Sequence, residues 1–191
     1  MSTANQKAEL RTRFLKQRSE QSSETIASAS AQICHHILAF ISLQGFSKVF
    51  LFHSAPGEPA VENLFQQLHP KLKLGLPRVH SKTEIQFHRW DKDTELERSR
   101  FGLLEPIAQT PGEVPDKETL ICVPSLAMDY EGYRLGFGAA YYDRYLSQHR
   151  EGVTLAVNFS NCLVDALPQD PWDERVQFLC TEKGVLKVRE V

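Results

Sequence analysis

Apolar positions along this chain follow two rhythms. In the first part, Leu10, Phe14 and Leu15, then Ile26, Ser30, Ile33, Ile37 and Phe40/Ile41, step by three or four residues. That is the repeat of helices with one buried face. It predicts one helix within the first twenty residues and a second over 23–43, with Gly45 as its stop. From Lys48 the rhythm changes to short, mostly apolar runs, the mark of strands covered on both faces. These fall at 48–52, at 72–76 (closed by Pro77), at 120–123 (broken by Pro124), at 154–157 and at 178–180. Residues 84–90 alternate and predict an edge strand. Helical spacing returns over 58–68 and 139–149. Residues 91–115, charged and then proline-rich, predict a long ordered excursion over the surface.

Short apolar strands separated by helices predict βαβ units. The fold class is therefore α/β: one domain over residues 1–191 with a mainly parallel, Rossmann-like sheet and helices on both faces. Ligands of such sheets sit outside the carboxyl ends of the strands. The loops after 52, 76 and 123 are the places to search.

Composition narrows the class further. The 191 residues are 41% hydrophobic and 24% charged, with a net charge of -2. A chain of this size buries about 70% of its unfolded surface and needs no metal or disulfide to hold a core. Near-neutral charge gives no whole-molecule attraction to nucleic acid. No apolar run approaches the roughly 20 residues that span a bilayer, and no apolar leader follows Met1. Cys34, Cys122, Cys162 and Cys180 are widely spaced and read as reduced core thiols. A cytoplasmic monomer, free of membrane and nucleic-acid partners, is expected.

Candidate chemistry concentrates in one segment. Gly132, Gly136 and Gly138, three of ten glycines, lie between the 120–123 strand and the helix that begins near Ala139. A Gly-x-Gly turn opening a helix offers free backbone N–H groups and the positive helix end to an anion. Arg134 adds a planar fork suited to phosphate oxygens. Asp143 sits one turn into the helix, where a carboxylate could hold Mg²⁺ carried on nucleotide phosphates. The same pattern also describes a tight turn, with Tyr141/Tyr145 and Tyr142/Leu146 packing the helix onto the sheet. There is no P-loop and no third glycine of a dinucleotide fingerprint. The remaining histidines, His35 and His36 included, lack metal-ligand spacing.

Residues 123–146 read V-P-S-L-A-M-D-Y-E-G-Y-R-L-G-F-G-A-A-Y-Y-D-R-Y-L. This stretch resembles the signature of the 5-formyltetrahydrofolate cyclo-ligases, V-P-G-L-A-F-D-x-x-G-x-R-L-G-x-G-x-G-Y-Y-D-x-Y-L. Lys7-x-x-x-Arg11, residues 50–58, 76–79 and 101–106, Leu167-Pro168, Asp173 and Thr181-Glu182 match further blocks in order. The resemblance therefore spans essentially the whole chain. It implies a ligase that uses MgATP to convert 5-formyltetrahydrofolate, with or without a polyglutamate tail, into 5,10-methenyltetrahydrofolate, ADP and phosphate. It implies phosphate contacts from Lys7, Arg11 and Arg134, and a cradle of Gly136, Phe137, Gly138, Ala139 and Ala140. It further implies Tyr141 and Tyr142 lining a shared cleft, with Arg134 and Tyr141 nearest the reacting groups. Glu58 would contact the pterin, with His53 beside it as a neighbour and not a proton carrier. Asp143 and Asp173 would hold Mg²⁺. Read without the resemblance, Glu58 complements a helix dipole behind Pro59 and Lys7 and Arg11 form a solvated face; Trp172, beside Asp173, packs either against the nucleotide or in the core.

Some positions depart from the pattern. Ala140 replaces the last glycine, which a helical, negative φ would tolerate. Ser125 replaces a glycine, Met128 a phenylalanine and Val61 a threonine. Ala139 fills a position that is often glycine or basic, and Ala139 with Ala140 leaves open a relative that binds nucleotide or folate without turnover. Because fold alone does not fix function, a sugar-phosphate or acyl-transfer enzyme also stays open, although no acid/base pair or nucleophile stands out for it.

Overall fold

The computed structural model describes residues 2–189. Helix α1 (Thr3–Ser19) begins at Ser2, whose hydroxyl accepts from Asn5 N–H, and α2 (Ser23–Gln44) begins at Ser22, which accepts from Thr25 N–H. Gly45 ends α2 in the left-handed conformation, φ 73°, with its N–H on Ile41 O. Then follow β1 (Lys48–Phe50), α3 (Asn63–Leu68), β2 (Lys73–Val79), β3 (Ile85–Trp90), β4 (Leu96–Arg98), β5 (Leu104–Pro106) and β6 (Gly112–Glu113). The second half holds β7 (Thr119–Pro124), β8 (Ala127–Asp129), β9 (Arg134–Leu135), α4 (Tyr141–Gln148), β10 (Val153–Val157), β11 (Leu163–Val164), β12 (Phe178–Thr181) and β13 (Gly184–Lys187).

Eight strands form the main sheet in the order β13-β12-β10-β7-β1-β2-β3-β6. The middle five, β12 to β2, are parallel, and both margins are antiparallel. Their apolar runs alternate between two cores, as strands covered on both faces require. Val49, Leu120, Cys122, Leu155 and Val157 pack beneath α2 and α3. Phe50, Ile121, Val123 and Ala156 pack on the opposite face against Tyr145 and Leu146 of α4. A third, smaller core joins Phe14 of α1 to Leu126, Ala127 and Leu135.

This order has a functional consequence. From β1 the chain moves outward to β2, then returns to place β7 on the other side of β1 and continues to β10 and β12. Neighbours β1 and β7 thus send their connections in opposite directions, and the crevice between their outgoing loops is the ligand position of such sheets.

Several expected boundaries shift. Helix over 58–68 is predicted, but only Asn63–Leu68 is helical. Side chains satisfy the preceding turn instead: Glu58 accepts from Ala55 N–H at 2.8 Å and Glu62 from Ser54 N–H at 2.7 Å. Strand β2 runs through Pro77, because β1 has ended opposite Gly75 and β2 has only β3 beside it there. The surface excursion contains the β4–β5 hairpin, and β13 extends the sheet past 178–180. The expectation of no near-spanning apolar run is also corrected. Helix α2 has 22 residues, and an 18-residue stretch of it has a mean hydropathy of 1.4, long and apolar enough by itself. Its apolarity serves the core, for Ile33, Ile37, Phe40 and Ile41 are buried against the sheet and α3.

Candidate active site

A cleft of about 570 Å³ opens at the carboxyl ends of β1, β2 and β7. Helix α1 supplies one wall. Lys7, Arg11, Phe14 and Arg18 fall on one stripe of that helix, and Phe14 anchors the stripe in the third core. Lys7 Nζ donates to Asp170 Oδ2 at 2.7 Å and to Asp173 Oδ2 at 2.5 Å. Burial works against this ammonium, but the two carboxylates outweigh it and hold Lys7 above the usual lysine range. Arg11 Nε donates to Gly136 O at 2.9 Å, which lays its guanidinium across the glycine turn.

That turn opens α4. Gly138 has φ 107°, and a Cβ there would stand 3.6 Å from the Arg11 guanidinium. Ala140, the residue before the helix, has φ 50°, so the expected negative value is corrected. It precedes the first helical turn instead of lying inside it, and no side chain caps the helix start. The first-turn N–H groups of α4 therefore lack a side-chain acceptor, the arrangement that suits an anion. Arg134 is buried beside them, donating to Asp143 Oδ1 at 2.9 Å and Glu174 O at 2.6 Å. The hydrogen bonds of Asp143 fall on Oδ1 and those of Asp173 on Oδ2, which leaves each carboxylate a second oxygen. No cluster of three or more metal-ligating side chains occurs among the described residues.

The other end of the cleft is more apolar. Glu58 is buried, accepting from Arg18 Nη1 at 3.3 Å and Ala55 N–H at 2.8 Å. Burial raises its carboxyl pKa, and Ala55 and Arg18 pull part of the way back. The helix-dipole reading of Glu58 is corrected, since α3 begins five residues later. His53 stacks on Phe65 with ring centroids 5.4 Å apart, and its Nε2 is buried without a partner. Its Nδ1 lies 3.7 Å from Glu62 Oε1. Tyr142 is edge-on to Phe87, and burial raises its phenol pKa. Tyr141 donates to Ser81 O at 3.1 Å and is met by Arg100, which joins α4 to the β2–β3 turn and the β4–β5 turn. Phe101, Leu104, Phe137 and Trp172 line the cleft with exposed apolar surface, and the core reading of Trp172 is corrected by its 66% exposure.

The family model of the 5-formyltetrahydrofolate cyclo-ligase family matches residues 3–182. The chain belongs to that family. A cyclo-ligase of Haemophilus influenzae is 28% identical over 171 residues, covering 86% of this chain and 91% of its own length. One from Escherichia coli K12 is 30% identical over 131 residues, 65% of this chain and 72% of its own. The NMR structure of Aquifex aeolicus 5,10-methenyltetrahydrofolate synthetase superposes with TM-score 0.84 at 33% identity, covering 97% and 94% of the two chains. The synthetase of Mycoplasma pneumoniae gives 0.75 at 25% identity, covering 92% and 98%.

Within this cyclo-ligase chain, every site residue singled out from the sequence lines the one cleft: Lys7, Arg11, His53, Glu58, Arg134, the 136–142 segment, Asp143 and Asp173. Sequence reasoning missed Arg18, Glu105 and Asp170. Arg18 had a signal, since it follows Arg11 by seven positions and so shares its helix face. Glu105 is buried against Arg78, at 3.5 Å, and accepts from Val79 N–H; only the fold brings the β4–β5 hairpin there. Asp170 is placed by its backbone carbonyl, which accepts from Asp173 N–H at 3.0 Å.

Proposed function

We propose that this chain closes 5-formyltetrahydrofolate to 5,10-methenyltetrahydrofolate with ATP, releasing ADP and phosphate, and that the residues of the cleft carry the reaction. The observation behind this is the joining, in one cavity, of a cationic, glycine-turned end and an apolar, aromatic end. Phosphates suit the first; a flat heterocycle suits the second.

The formyl oxygen attacks the γ-phosphorus and ADP leaves. N10 then attacks the activated carbon, phosphate departs, and the N10 proton is lost. An amide oxygen is a poor leaving group and a phosphate is a good one, so the protein's task is to position reactants and neutralise charge. Arg11, Arg134 and the N–H groups from Gly136 to Ala140 bind phosphate, with Lys7 at their side. Tyr141 and Tyr142 lie between nucleotide and folate, while Glu58 accepts pteridine N–H groups beside His53. Two carboxylates with one open oxygen each, Asp143 and Asp173, are the short protein donor set that Mg²⁺ takes when phosphates and water complete its shell. Bound there, Mg²⁺ would neutralise the triphosphate.

The wider reading is one cytoplasmic, monomeric domain over 1–191 with a Rossmann-like parallel centre, accepting substrate with or without a polyglutamate tail. The non-catalytic alternative rested on the missing glycine. Because Ala140 itself holds φ 50°, the turn keeps its shape and turnover is expected. The test is stoichiometry: one ADP and one phosphate for each methenyl product. ADP without product, or product without ADP, would sink the reading.

A further inference from the structure

Arg18 belongs to no phosphate contact and stands behind the cleft's lining residues, yet it is a buried charge whose partner, Glu58, lines the cleft. Its side chain is 5% exposed and that of Glu58 is 3%. One guanidinium nitrogen, Nη1, meets Glu58 Oε1 at 3.3 Å, and the other, Nη2, donates to Ser125 O at 2.8 Å. The guanidinium carbon lies 5.7 Å from the centre of the Phe137 ring. Glu58 follows β1, Ser125 follows β7 and Phe137 lies in the turn before α4, so one side chain of α1 touches all three loops around the crevice. The surroundings are shaped to admit it. Gly57 has φ 77°, and a Cβ there would come within 2.4 Å of Arg18 Cγ. Ser125 O also takes Asn158 Nδ2 at 2.8 Å, so the acceptor is itself fixed.

We propose that Arg18 is a positioning residue for the folate end: it fixes the Glu58 carboxyl group in place and aims it at the pteridine. This rests on the reading of Glu58 as the pteridine contact. A buried carboxylate without a cation turns neutral, and one of its acceptor directions becomes a donor. A lysine could supply charge but not two diverging donors and a flat face, so the site asks for arginine.

The experiment compares Glu58→Gln, Arg18→Lys and the double variant in steady-state assays of methenyl formation, varying each substrate in turn. Each single variant should raise the KM for 5-formyltetrahydrofolate about tenfold or more, the scale of one lost charge-assisted hydrogen bond. The KM for ATP should stay near the unmodified value, which general damage to the fold would not allow. The double variant should bind folate no worse than the weaker single one, because both changes break one interaction. If Glu58→Gln leaves the folate KM unchanged, the Glu58 reading fails and the inference falls with it. If Glu58→Gln weakens folate while Arg18→Lys does not, or the two effects multiply in full, only the inference is overturned. Should Arg18→Lys fail to fold, the neutral pair Arg18→Met/Glu58→Gln replaces it. A folate KM equal to that of Glu58→Gln then supports the proposal, and a further tenfold rise overturns it.

Discussion

Lys7 and Asp173 are 166 residues apart in the chain and 2.5 Å apart in space. Together with Asp170 they dock the first helix onto the last loop before β12, closing the phosphate end of the cleft from outside. Lys7→Met should raise the KM for ATP about tenfold while leaving that for folate nearly unchanged. The docking also sets a pH dependence. Lys7 is held above the usual value of 10.5, so its contribution to stability is complete below that pH and fades as pH rises through the higher folded value. Thermal unfolding of the two proteins should therefore differ by a constant amount from pH 7 to about 10 and converge above it. A gap that instead closes below pH 9 would refute this role.

Asp143 has two duties that can be separated. It partners Arg134 at 2.9 Å and, in the proposed function, lends its other oxygen to Mg²⁺. Asp143→Asn keeps a hydrogen-bond acceptor for Arg134 but removes the charge. Turnover should fall at least about a hundredfold, and the Mg²⁺ concentration needed for half-maximal rate should rise. Near-normal rates at low Mg²⁺ would dismiss the metal assignment.

Ala140 holds a left-handed conformation that favours glycine, φ 50°. For an L-residue this costs roughly 1–2 kcal/mol, and replacing it by glycine adds roughly 0.5–1 kcal/mol of unfolded-state entropy. Ala140→Gly should thus change stability by no more than about 1 kcal/mol and preserve activity. Ala140→Val, with its branched Cβ, should destabilise by at least ~1 kcal/mol and weaken ATP binding. Chemical denaturation and ATP titration of the three proteins decide the point; a fully stable, fully active valine variant would contradict the backbone argument.

The four cysteines are free and buried. Burial pushes the thiols of Cys34 and Cys162 up to about 11 and that of Cys180 to about 12. Only the thiolate reacts with alkylating agents, so the folded protein should resist iodoacetamide at pH 8 and yield all four thiols in denaturant. Rapid modification of the native protein would show that these sites open.

How much of this was legible beforehand depended on whether a signal was local. Val49-Phe50-Leu51 announced a two-faced strand because every residue of such a strand meets a core. Gly136 and Gly138 marked the turn because backbone geometry there is written in residue type. Arg18 passed as one more cation on a polar helix, since nothing nearby in sequence says that Glu58 and Ser125 will meet it. The 58–68 helix was overextended for a related reason: its apolar spacing was right, but Ser54, Glu58 and Glu62 drew the backbone into a turn. Strands such as β8, β9 and β11, two or three residues each, carry no period to read.

The central claim is a coupled reaction in one cleft, and one mixing experiment tests it most directly. Purified protein, 5-formyltetrahydrofolate and Mg²⁺ are followed by near-ultraviolet absorbance before and after ATP is added. The expected result is a flat trace without ATP and a rise of the methenyl chromophore upon its addition, with a rate proportional to protein concentration. A trace that stays flat at high protein concentration with both substrates saturating would contradict the account.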